Sequence, residues 1–241
     1  MDEEKTESGI WEHLGELRKR LMYALIGLII CVAISFIFTE HIIELLAVPI
    51  GGLDKLQAIE VTENVGVYMR VALLSGFILA LPWILIQLLK FVVPGLTKTE
   101  RTWLFNAIPL ATILFLTGGA FAYFIMLPAS IPFLTEFLGI KTAPRVKNYV
   151  DFITNLIFWI GVSFELPLLM FILAKINIIT AKGLAKGWRF AIVIIAVVSA
   201  VITPTVDPVN MALLMAPLFV LYLLSILLAV IAKKKKLKGG S

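Results

Sequence analysis

The sequence predicts an all-α membrane protein in which six helices cross the bilayer and both termini face the cytoplasm. Composition is the first reason: of 241 residues 60% are hydrophobic and 15% charged, with mean hydropathy +1.00, a balance that soluble domains rarely show. Pattern is the second, because the apolar residues run in continuous stretches without the alternation of a membrane barrel, so each segment must satisfy its own backbone as a helix. Length is the third. Crossing about 30 Å of hydrocarbon takes roughly 20 residues, which allows about six crossings and no separate soluble domain.

The cationic residues orient the chain. Four Lys and Arg precede the first span, three lie between 90 and 103, four between 174 and 189, and five in the tail. The opposite side has Lys55, Lys141, Arg145 and Lys147, with Arg70 near the entry to the second span. Positive charge beside a span resists translocation, so the richer face is expected to be cytoplasmic. The net charge of +5 follows from these anchors, and no basic-aromatic face suggests nucleic acid.

The charged octet His13 to Arg20 leads into Leu21–Phe38, eighteen residues without a charge. A secretory signal has an apolar region of about 7 to 15 residues and a small-residue cleavage site; this run is longer and ends Phe36-Ile37-Phe38-Thr39, so it reads as a retained span. Its Cys31 is the one cysteine of the chain, which excludes an intramolecular disulfide and a Cys-based metal cluster. Five further spans are expected at about 65–89, 103–127, 151–174, 188–202 and 209–232. Residues 1–232 then form one transmembrane domain, and 233–241 a basic cytoplasmic tail.

The outer segments at about 40–64 and 128–150 hold enough apolar residues to lie on the membrane surface as short helices, a periplasmic cap. The fifth span is odd, since fifteen residues at 1.5 Å each reach about 22 Å. Such a span thins the bilayer or draws water inward, unless Thr203 and Pro204 extend the helix. The connection Thr203 to Pro208 leaves room only for a tight turn, which makes spans five and six an antiparallel hairpin. Pro49, Pro82, Pro109, Pro128, Pro167 and Pro217 are expected to bend or break their helices into a curved wall.

Four acidic residues stand out, each with two readings. Glu165, in Gly161-Val-Ser-Phe-Glu165-Leu-Pro167, lies inside the fourth span, where a charge costs about 2.5–3.5 kcal/mol and usually marks a cavity or contact; the alternative is a protonated acid bonded to a neighbouring helix. Pro167 also takes the donor from the Ser163 carbonyl. Glu16 is either a carboxylate awaiting a cationic ligand or one member of the Glu12, Glu16, Arg20 series that pairs along one helical face. Glu100 either binds or completes the Thr97-x-x-Glu100 capping box. Asp207 reads first as an N-cap in the turn from Thr203 and Pro204.

Enzyme motifs are missing: there is no His-Glu-x-x-His, no Gly-x-Ser-x-Gly and no Walker loop, and the span residues offer Glu165 no second catalytic group. A small-solute transporter, the alternative reading, would show an inverted repeat or a relay of intramembrane ionisable residues, and neither is found. The chain is therefore expected not to be an enzyme and to need no cofactor or metal.

Taken in order, several stretches carry a resemblance. They are His13-Leu-x-Glu16-Leu-Arg18-Lys-Arg20, the Pro49 segment, Val61-Thr-Glu63, Leu81-Pro82 with Gln87, Phe91 and Pro94, and Lys98-Thr-Glu100-Arg101. Phe121-Ala-Tyr-Phe124 with Pro128, the Glu165 to Pro167 stretch, and Thr203-Pro204 leading to Asp207 follow. Together they resemble TatC, the multi-spanning subunit of the twin-arginine protein translocase of the prokaryotic cytoplasmic (inner) membrane. The resemblance implies six helices curved like a cupped hand, with Glu165 as a polar site on the concave face. It implies that Glu16 and Glu100 engage the paired arginines of a cargo's signal peptide, with Arg18, Gln87 and Phe91 on the same face. A guanidinium fork suits such acceptors, since a carboxylate receives it bidentately and lysine cannot imitate it.

The same resemblance implies partners: TatA and TatB single-span subunits docking on helices five and six through Thr203, Pro204 and Asp207, in an oligomeric complex that uses the proton gradient. Pro49, Pro82 and Pro167 would shape the helices. Two departures stand: Thr203 to Asp207 has one residue more than the usual Thr-Pro-Pro-Asp form, and Arg145 sits where an acidic or polar residue is expected.

Overall fold

In a computed structural model, residues 2–92, 98–135, 144–176, 178–203 and 208–238 are described. Helix accounts for almost all of them. The order is α1 (Asp2–Ser35), α2 (Thr39–Ala47), α3 (Glu63–Val92), α4 (Lys98–Phe121), α5 (Leu127–Thr135), α6 (Val146–Phe164), α7 (Leu166–Lys175), α8 (Ala181–Lys186), α9 (Trp188–Ile202) and α10 (Pro208–Lys238). Among the described residues the extended backbone forms no strand, only an isolated bridge between Gln57 and Arg145.

Four helical stretches are long and apolar enough to cross a membrane: Glu63–Phe91, Leu104–Pro132, Val146–Lys175 and Pro208–Ala232. They coincide with the expected spans two, three, four and six. The expected first span falls in a pair, His13–Ser35 and Thr39–Ile50, broken at 36–38, where the amides of Ile37 and Phe38 reach back only three residues, to Ile34 and Ser35. α1 runs unbroken from Asp2 through the charged octet into the apolar run. The fifth expected span is the short apolar helix Trp188–Ile202; Thr203 is extended (φ −74°, ψ 126°) and ends it, so no added turn relieves its shortness.

The chain divides into two units. The first comprises Met1–Thr39 and Ala72–Thr112, so α1 meets the later part of α3 within it. The helices run antiparallel: Ser35 bonds the Ser75 hydroxyl, Val32 touches Gly76, and the Trp83 indole donates to the Tyr23 carbonyl at 2.8 Å. The approach is close enough that a Cβ on Gly76 would lie 2.6 Å from the Val32 Cα. Small residues let helix backbones touch where lipid, being as apolar as the side chains, supplies no hydrophobic drive.

The second unit comprises Glu40–Val71 and Ile113–Ser241. The two segments expected to form the cap are joined to each other. Gln57 accepts from the Val146 amide at 3.0 Å and donates to the Pro144 carbonyl at 3.1 Å. The hydroxyls of Tyr123 and Tyr149 donate to the carbonyls of Leu45 and Leu46 at 2.7 and 2.8 Å, which fastens the end of α2. Between α4 and α5 the backbone widens into a π turn over Ala122–Met126, and such bulges often mark functional positions. Near the far end of this unit, α10 packs along α7 through Ala174, Ala229 and Ala232.

Candidate functional site

Five of the sequence-predicted residues, Glu16, Arg18, Gln87, Phe91 and Glu100, belong to the first unit. The antiparallel register of α1 and α3 brings four of them to one end of it. His13 of α1 lies flat on Phe91 of α3, with ring centroids 4.4 Å apart and planes 21° from parallel. One helical turn beyond His13, Glu16 accepts from Arg20 at 3.2 Å, the i,i+4 pair anticipated from the spacing. Both side chains keep about a quarter to a third of their surface exposed, Arg20 26% and Glu16 30%. A half-exposed pair with a single contact is worth only about 0.2–1 kcal/mol.

Two nearby polar atoms lack partners. The Arg20 Nε and the Gln87 Oε1 are buried and make no hydrogen bond among the described residues. Gln87 is itself 3% exposed, so an unmatched acceptor there carries a desolvation cost of about 1–3 kcal/mol. Arg18 is exposed. Glu100 stands in the first turn of α4, and its side chain lies outside the described residues, as does Thr97 of the expected capping box. Arg101 of the next position holds its guanidinium 5.9 Å from the Phe105 ring centroid.

In the second unit Glu165 is the single residue between α6 and α7. Pro167 causes that break: its ring cannot donate, α7 restarts with it in the first turn, and the Glu165 amide turns back to Val162 at 3.1 Å. The carboxyl Oε1 of Glu165 is buried and unbonded among the described residues. The same carboxyl meets the Phe115 backbone of α4, as an acid bonded to a neighbouring helix would. Thr203 is buried at the end of α9 and donates to the Ser199 carbonyl at 2.9 Å, whereas Pro204 and Asp207 lie outside the described residues. Pro82 sits inside α3 without ending it, and Pro49 lies in a 3-10 turn, Val48–Ile50, after α2.

Two clusters escaped the sequence reading. Arg145, noted only as out of pattern, pairs with Glu60 at 2.7 Å and with Glu63, whose side chain is 1% exposed. The two carboxylates, Glu60 first, push the guanidinium pKa above its ordinary value. Arg70 meets Asp151 at 2.9 Å, Thr154 at 2.7 Å and Asn155 at 2.8 Å. The signal for the second cluster was present: Asp151, Thr154 and Asn155 fall three and four apart on one face of α6, a ready seat for a single cation. For the first there was none, because Arg145 lies 82 and 85 residues along the chain from Glu63 and Glu60. Among the described residues no three His, Cys, Asp or Glu side chains converge as metal ligands.

Comparison with known proteins agrees with this geometry. The family profile described as Sec-independent protein translocase protein (TatC) matches residues 12–217. A Sec-independent protein translocase protein TatC of Carboxydothermus hydrogenoformans is 35% identical over 233 residues, covering 95% of this chain and 96% of the relative. One from Aquifex aeolicus is 35% identical over 234 residues, covering 93% and 96%. A crystal structure of a twin arginine translocase receptor, TatC, superposes with a TM-score of 0.82 at 34% identity, covering 92% of this chain and 99% of that one.

Proposed function

The chain belongs to the TatC family of multi-pass membrane translocase proteins, and from that premise we propose that it is a signal-peptide receptor and scaffold rather than an enzyme. In this reading all six predicted helices span the cytoplasmic membrane, both termini are cytoplasmic, and residues 1–232 work as one domain. Glu16 and Glu100 receive the two guanidinium groups of a twin-arginine signal peptide. TatA- and TatB-type single-span helices join at helices five and six, around Thr203, Pro204 and Asp207, and at Glu165. The proton gradient drives export of the folded cargo.

The observation that supports this reading best is the Glu16–Arg20 contact. It neutralises Glu16 through one bond at 3.2 Å in a partly exposed place, so an incoming guanidinium that binds bidentately can displace it. The stacked His13 and Phe91 hold that turn of α1 against α3, and the unmatched Gln87 carbonyl, accepting a further N–H, would lose its desolvation cost.

The test is a binding titration of the full chain in detergent with a peptide carrying two adjacent arginines and with its two-lysine counterpart. The arginine peptide is expected to bind about tenfold more tightly, the worth of one added charge-assisted bond. Glu16→Gln should narrow that gap by weakening the arginine peptide alone. Equal affinity for the two peptides would sink the receptor assignment.

A further inference from the structure

Within the first unit, α1 and α3 set two rows of residues against each other. On α1 the row is His13, Glu16, Arg20, Tyr23 and Gly27, at intervals of three and four; on α3 it is Trp83, Gln87 and Phe91, at intervals of four. Such spacings keep each row on one side of its helix. The ends of the rows meet. His13 stacks on Phe91, and at the other end the Trp83 indole donates to the Tyr23 carbonyl at 2.8 Å, while a Cβ on Gly27 would lie 2.2 Å from the Trp83 ring. Glu16 and Arg20 of one row and Gln87 of the other therefore lie between two aromatic contacts.

The polar groups between those contacts are incompletely matched. Arg20 gives Glu16 one hydrogen bond at 3.2 Å, while its own Nε is buried without an acceptor among the described residues. Gln87, 3% exposed, has a buried Oε1 without a donor. An unmatched donor and an unmatched acceptor on facing rows make a second seat for the same guanidinium, and a carboxylate, accepting more strongly than an amide, holds it at the first. We propose that Arg20 is a resident latch: it occupies Glu16 in the empty receptor and turns to donate to Gln87 when a cargo guanidinium takes Glu16. The latch rests on the reading of Glu16 as an acceptor of the signal peptide, and it assigns Gln87 to Arg20. It also raises the demand on a ligand. A cation offering Glu16 a single bond only replaces what Arg20 already gives, whereas a bidentate guanidinium adds a bond. The Gln87 bond is the weaker of the two, or Arg20 would already make it, so the worth of an exposed ion pair bounds its effect at about fivefold in affinity.

The experiment is a double-mutant cycle on the full chain in detergent, read by binding of a fluorescent peptide with two adjacent arginines to the native chain, Gln87→Met, Arg20→Met and the double variant. Methionine keeps the side-chain length and, at position 87, removes an acceptor that is unmatched in the empty receptor, so folding is retained; Gln87→Leu repeats the cycle with a second side chain. Gln87→Met should weaken binding about twofold to fivefold, because the displaced Arg20 loses its seat. Made in the Arg20→Met background the same change should have no effect, since no guanidinium is left to move. The change at 87 is neutral, so the comparison is free of the repulsion that Arg20 exerts on a cationic peptide. An equal loss in both backgrounds would mean that Gln87 holds the peptide itself; that result, or no loss in either, would overturn the latch. A two-lysine peptide run alongside separates the latch from the receptor reading. Equal affinity of the native chain for the two peptides sinks both, whereas a retained arginine preference with additive losses sinks the latch alone.

Discussion

His13 and Phe91 stack across α1 and α3 at 4.4 Å, and this contact ties the charged start of α1 to the end of the second long helix. Aromatic stacking of this kind contributes about 0.5–1.5 kcal/mol. Phe91→Ala is expected to release that turn of α1 and weaken twin-arginine peptide binding by up to about tenfold, a loss of that size. Phe91→Tyr, which keeps the ring, should bind as before. Fluorescence titration of both variants decides it, and an unaffected Phe91→Ala would show that the stack does not position Glu16.

Gly76 and Gly15 make a paired test of the α1–α3 contact. A Cβ at Gly76 meets the Val32 backbone at 2.6 Å, whereas nothing lies within 4 Å of one at Gly15. Gly76→Val should therefore destabilise by about 1–3 kcal/mol through forced separation of the helices. Gly15→Ala should be neutral or gain about 0.5–1 kcal/mol, since glycine inside a helix loses more backbone freedom than alanine. Thermal unfolding in detergent reads both; equal effects would remove the close approach as a determinant of the fold.

The Arg145 cluster predicts an asymmetry between its two carboxylates. Glu63 is enclosed and also accepts from the Ile59 amide at 2.9 Å, while the Glu60 side chain is 62% exposed. Removing the cation strands the enclosed charge, so Arg145→Ala should lower the unfolding temperature by several degrees and open the 57/145 bridge to hydrogen exchange. Glu60→Ala should change little, as surface pairs do. Comparable losses in the two variants would show that the exposed Glu60 contact counts as much as the enclosed one at Glu63.

At Glu165 stability and function should part. Its Oε1 has no partner among the described residues while the carboxyl also meets the Phe115 backbone, so Glu165→Leu removes an unsatisfied buried acceptor together with one contact and should change the unfolding temperature little. If the carboxyl serves a partner helix, the same variant should lose export of a reporter carrying a twin-arginine signal. A variant that exports normally would return Glu165 to a purely structural part.

Composition and run length alone determined that the chain is helical and membrane-embedded, because hydrocarbon leaves a backbone no alternative to satisfying itself locally. The four long spans, the shortness of α9 and the break before Pro167 follow from residues near in sequence: apolar length, a fifteen-residue run, a proline without a donor. The i,i+4 pair of Glu16 and Arg20 was readable for the same reason. What only the tertiary structure decided lies between residues far apart: His13 on Phe91, Arg145 on Glu63, and Arg70 on the α6 face. Periodicity states which face of a helix is apolar but not which neighbour it meets. In lipid, where both faces are apolar, that choice falls to small residues and a few polar contacts that no local pattern ranks.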